Sequence, residues 1–67
     1  MTYKEALSFF SFHGGVSKSP EELAKITPSE VQLDKAVEHA VKRGQWRERA
    51  ESAKRAILRG YNDGQNG

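Results

Sequence analysis

A break in hydrophobic phase at Gly44 limits what this chain can fold into more than any other feature. Upstream, Leu33, Ala36, Val37, Ala40 and Val41 recur at i, i+3, i+4, i+7 and i+8, one apolar stripe of a helix. Downstream, Trp46, Ala50, Ala53 and Ile57 form a second stripe. At roughly 100° per residue, an unbroken helix would rotate these stripes about 140° apart, so a straight rod would point them nearly opposite ways. A turn at Lys42-Arg43-Gly44-Gln45 lets both faces meet. Gly44 supplies the positive φ that a helix C-terminus favours. The pattern predicts an antiparallel helix pair.

The 67 residues suffice for one small domain. A chain of this size buries only about 60% of the surface its unfolded form exposes. With no cysteine, neither a disulfide nor a thiolate metal site can staple it. Helix packing, good caps or a second copy of the chain must then supply stability. No apolar run approaches the roughly 20 residues of a membrane span, and Met1-Thr2-Tyr3-Lys4-Glu5 opens no signal peptide. The expectation is a cytoplasmic protein with no membrane partner, most naturally from a prokaryote or one of its phages or plasmids.

Local signals divide the chain into three to four helices. Thr2 with Glu5 makes a Thr-x-x-Glu capping box, Tyr3, Ala6, Leu7 and Phe10 form a stripe, and His13-Gly14-Gly15 ends it. Ser19-Pro20-Glu21-Glu22 opens a helix of about two turns that buries Leu23 and Ile26. The same grammar at Thr27-Pro28-Ser29-Glu30 opens the next helix, with Ile26 stapled to Val31. The last helix is expected from about Gln45 to Arg59, which gives a domain over 1–60 and a flexible tail over 61–67. A longer helix is the competing reading, because Gly60, Gly64 and Gly67 continue the last stripe as a glycine face. Against it stands a cost of about 1 kcal/mol per glycine.

Charge is distributed unevenly. Residues 1–41 carry a net −2, whereas residues 42–59 carry +5 and all of the arginine. Such asymmetry suits nucleic acid or an acidic protein surface. Arg43, Arg47, Arg49, Lys54, Arg55 and Arg59 are the candidate phosphate contacts, and Trp46 beside Arg47 offers a stacking platform. The competing reading is a solvated face with Glu51–Arg55 and Arg47–Glu51 pairs, and with Trp46 in the core. Arg43, Arg49, Lys54 and Arg59 are expected to have no local acidic neighbour that satisfies them.

Phe9-Phe10-Ser11-Phe12 is the other unusual feature. Phe10 lies on the main stripe, while Phe9 and Phe12 point roughly 100° and 160° away from it. Either Phe9 widens the buried face and Phe12 tucks under the following loop, or part of this aromatic surface, with Tyr3, meets a partner. Gly15-Val16-Ser17 hints at a helix-turn-helix, but Pro20 and Glu21 are unsuited to a recognition helix.

Ala56-Ile57-Leu58-Arg59-Gly60-Tyr61-Asn62-Asp63-Gly64-Gln65-Asn66-Gly67 resembles the Ala-x-x-Arg-Gly-Tyr-x-x-Gly-x-x-Gly stretch of ribosome modulation factor. That family is small, basic and docks on ribosomal RNA, so the resemblance implies an RNA contact. It covers about twelve residues, mostly through glycine.

Neither His13 nor His39 has a metal-ligand or triad partner at motif spacing, and no Gly-rich phosphate loop occurs. No metal or cofactor is implied, and catalysis is not expected. The expected fold is all-α: a C-terminal antiparallel hairpin of residues 28–43 and 46–59, with the first helix packed across it. The expected function is a non-enzymatic regulator or adaptor that binds a larger protein through Phe9, Phe12 and Tyr3. Nucleic-acid binding through the basic helix is the alternative, and a homodimer is compatible with either.

Overall fold

The structure is a computed structural model that describes the backbone of residues 1–26 and 29–66 and the side chains of 1–26 and 29–60. The described chain is all-helical: α1 (Tyr3–His13), α2 (Pro20–Lys25), α3 (Glu30–Lys42) and α4 (Arg47–Asn66).

Three helices begin where a side chain satisfies amides that the first turn leaves orphaned. Thr2 Oγ1 accepts from the Glu5 N–H and Ser19 Oγ from the Glu22 N–H, and each glutamate accepts in return from the capping residue's N–H. At α3 the cap differs from the expected one. Thr27 and Pro28 lie outside the described residues; the capping residue is Ser29, whose hydroxyl accepts from the Gln32 N–H at 3.1 Å. Starting two residues later leaves Val31 in the first turn, 64% exposed, rather than stapled over the chain entry.

The phase break at Gly44 is a helix stop. The Gly44 N–H donates to the Val41 carbonyl and the Gln45 N–H to the Ala40 carbonyl, both at 3.0 Å. These are the two bonds of a Schellman motif, and Gly44 takes the left-handed position at φ 95°. A Cβ at Gly44 would meet nothing within 4 Å, so only the backbone conformation asks for glycine there.

The core is built from Ala6, Leu7, Phe9 and Phe10 of α1, Leu33, Ala36, Val37 and Ala40 of α3, and Ala50, Ala53 and Ile57 of α4. Both predicted stripes therefore face inward, except at Trp46. That residue precedes the first turn of α4 and is 79% exposed. It falls outside the helical phase that carries Ala50 and Ala53 into the core. α1 packs most extensively on α4, and α3 also packs on α4. α2 rests on α1 and buries none of its own residues.

α4 does not stop at Arg59. Its backbone continues through Gly60 to Asn66, the longer of the two sequence readings. Glycine suits position 60 of this helix because Tyr3 occupies the space a side chain would need. A Cβ added there would stand 2.6 Å from Tyr3 Cβ and closer still to the ring. The glycine thus pays its propensity cost for a close approach of α4 to the start of α1.

Gly60→Ala should accordingly destabilise the protein, although alanine is the better helix former. Rotating the Tyr3 ring leaves its Cβ in place, so backbone must shift, at a typical overpacking cost of about 1–3 kcal/mol. Urea denaturation of the wild type and variant would measure it. A variant as stable as the wild type would mean that α4 does not approach Tyr3.

Candidate functional site

The aromatic run of α1 divides between core and surface. Phe9 is buried and meets Phe10 edge-on, with ring centroids 5.5 Å apart. Tyr3 is half-buried against the core beside Gly60. Of the three aromatic residues expected at a partner surface, Phe12 is the strongly exposed one, at 72%. It does not tuck under the loop that follows, because that loop leaves α1 on another side. Ser11 Oγ donates to the Lys18 carbonyl at 2.8 Å and draws the loop along its own side of the helix.

Phe12 sits where the end of α1 meets the turn between α3 and α4. Arg43 Nη1 donates to the Phe12 carbonyl at 3.3 Å, satisfying one of the acceptors that a helix C-terminus leaves open. Phe12, His13, Gln45 and Arg49 border one shallow depression, and the Arg49 guanidinium lies 5.9 Å above the Phe9 ring. Trp46 follows Gln45 directly. The two most exposed aromatic side chains among the described residues thus belong to one end of the domain, with Arg43 and Arg49 beside them.

Trp46 occupies an unusual position in its helix. Its carbonyl accepts from the Ala50 N–H at 3.1 Å, so it takes the N-cap role. Indole offers a donor and no acceptor, hence Trp46 cannot cap the first-turn amides as Thr2, Ser19 and Ser29 do. Sequence periodicity assigned Trp46 to the apolar stripe; its real signal was an aromatic residue where a serine or aspartate would stabilise the helix.

The basic residues are dispersed in role. Arg47 reaches across to α3, with Nη1 2.8 Å from Glu38 Oε1, rather than along its own helix to Glu51. Lys54 contacts Asp34 Oδ1 at 2.6 Å and Glu30 Oε1 at 3.4 Å, and its side chain is only 14% exposed. Lys54 therefore has acidic partners, but on another helix, where same-helix spacing cannot reveal them. Arg55 and Arg59 flank a shallow cleft beside Tyr3 and Gly60 and make no ion pair among the described residues.

These pairs shift proton affinities in the expected directions. The Arg47 hydrogen bond, followed by its charge, holds the Glu38 carboxyl below its ordinary value of 4.5. The Asp34 hydrogen bond raises Lys54 above 10.5, against the opposing effect of desolvation. Hydrogen bonding from Thr2 lowers Glu5. Among the described residues, no group of three or more His, Asp or Glu side chains is placed to hold a metal ion. Among the described residues, no helix is long and apolar enough to cross a membrane. Comparisons with protein-family models, curated proteins and solved structures return no match for this chain.

A depressed carboxylate pKa contributes stability above the unfolded value and loses it as pH falls through the folded one. Glu38→Gln should therefore lose less stability than the wild type between about pH 6 and about pH 3. The difference should shrink at high salt, because the pair is exposed. Thermal melts across that range would measure it, and identical acid sensitivity would mean that the Arg47–Glu38 pair does not form in solution.

Proposed function

We propose that this chain is a non-enzymatic binding module that engages a larger protein through the end of the domain bearing Phe12 and Trp46. The observation that carries this reading is Trp46 itself. It is 79% exposed, adds nothing to the core, and its side chain cannot cap the helix it precedes. Large exposed aromatics beside arginines are the side chains that dominate protein interfaces when desolvated. Phe12, at 72% exposure, and Arg43 and Arg49 complete such a set. Phe9 and Tyr3 support it from beneath, as packing residues of α1.

We further infer that α3 and α4 form an antiparallel hairpin that presents this end. Two facts support it. Only four residues separate the helices, and the ion pairs run in opposite senses: Arg47 meets Glu38, while Lys54, two turns on, meets Asp34 and Glu30. Arg43, Gln45 and Trp46 then lie at the closed end of the hairpin.

The alternative, nucleic-acid contact through the basic helix, draws its support from Arg55 and Arg59, which make no ion pair among the described residues. It is weakened because Arg47 and Lys54 are engaged with carboxylates. Binding by phosphate contact would weaken steeply and linearly on a log–log salt plot, whatever the base sequence.

Two substitutions separate the readings. Trp46→Ser should stabilise the fold by about 0.5–2 kcal/mol, the usual worth of an N-cap, while abolishing partner binding. Phe12→Ala should weaken binding at least tenfold with helicity unchanged. A photo-crosslinker at position 12 or 46 should capture a protein that one at exposed Lys25 does not. Salt-sensitive binding of single-stranded or duplex oligonucleotides, unaffected by Trp46→Ser and Phe12→Ala, would replace this reading with the alternative.

A further inference from the structure

A groove between α2 and α3, on the opposite side of α1 from the Arg49–Phe9 contact, is open to solvent along its mouth and has a volume of about 290 Å³. Its floor is the core itself: Leu7, Phe10, Leu33, Ala36 and Ile57. Its wall on the α2 side carries Leu23, half-buried, and Ile26, exposed to 38%. α2 buries none of its residues, so its apolar side is only partly covered by the rest of the fold. A filled groove would complete that burial.

The polar residues at the mouth give the groove a sign. Lys18, Lys35, Gln32 and His39 line it, and no carboxylate does so among the described residues. Neither lysine makes an ion pair among the described residues. Lys18 is held there by its own backbone, whose carbonyl accepts from Ser11 Oγ. Lys35 projects from the middle of α3. An apolar trough with only cationic and neutral polar groups at its mouth complements a molecule with an apolar tail and one negative head.

We propose that this groove binds a medium-chain fatty carboxylate, with the alkyl tail laid along Leu7, Phe10 and Leu33 beneath α2 and the carboxylate between Lys18 and Lys35. The volume sets the length. At about 30 Å³ for each water-sized unit, the groove accommodates roughly ten non-hydrogen atoms, the size of octanoate. Such a site lies at the small end of ligand pockets. Binding buries Leu23 and Ile26 and fastens α2 to α3, on a face separate from Phe12 and Trp46.

Titration of the ¹⁵N-labelled full chain with octanoate, followed by amide shifts, tests the assignment. Saturable shifts at Leu23, Ile26, Lys35 and His39, with those around Trp46 unmoved, are the expected result. Octylammonium, of equal length and opposite charge, should bind roughly tenfold more weakly, the effect of exchanging two exposed attractions for repulsions. Lys18→Glu combined with Lys35→Glu should reverse that preference, with far-UV circular dichroism confirming the fold. The comparison of the two amphiphiles on the wild type stands whether or not the variant folds. Equal affinity for both head groups, shifts mapping elsewhere, or no saturable shift would overturn the proposal.

Discussion

The close approach of three helices along a seam of small residues underlies everything else in this fold. Ala6, Ala40, Ala50 and Ala53 are completely excluded from solvent, and Ala36 nearly so. Each alanine removes little apolar area, so the seam contributes by letting the larger side chains of neighbouring helices reach one another. Phe10, Val37 and Ile57 close the space between helices that alanines have brought near. Gly60 extends the same device beyond Ile57, where even a methyl group would be too large against Tyr3. A core of this kind tolerates loss of volume poorly, because little interior remains to rearrange.

The local parts of this architecture are written plainly in the sequence. The capping signals at Thr2 and Ser19 act over three residues and occur as expected, as does the phase break resolved by Gly44. Interactions between helices were less legible. Lys54 looked unpaired because its carboxylates lie on α3, and Arg47 prefers Glu38 across the interface to Glu51 on its own helix. Periodicity places Trp46 on the apolar stripe, but a residue just ahead of a helix does not share its phase. The exposure of Phe12 depended on the course of the loop held by Ser11, which no periodicity describes. Gly60 was ambiguous for the same reason: a glycine face has meaning only once the opposing ring is known.

The candidate surface and the packing of the fold are in tension at α4. The helix follows a residue whose side chain cannot cap its first turn, and its far end includes glycine, among the poorest helix formers. Its stability derives from burial against α1 and α3 and from the ion pairs that tie it to α3. That dependence leaves the N-cap position free to carry a side chain suited to a purpose other than folding. The electrostatics divide similarly. Arg47 and Lys54 hold helices together, whereas Arg43 joins the turn to the end of α1 and lies beside the exposed aromatics.

The contact between Tyr3 and Gly60 joins the third residue of the chain to the sixtieth, and α1 has its most extensive interface with α4. During synthesis, α1 emerges well before α4, its principal packing partner. Until α4 leaves the ribosome, Leu7, Phe9 and Phe10 have only α2 and α3 to cover them. The core therefore stays incomplete until α4 has been made, and the fold closes only when that helix joins α1 and α3.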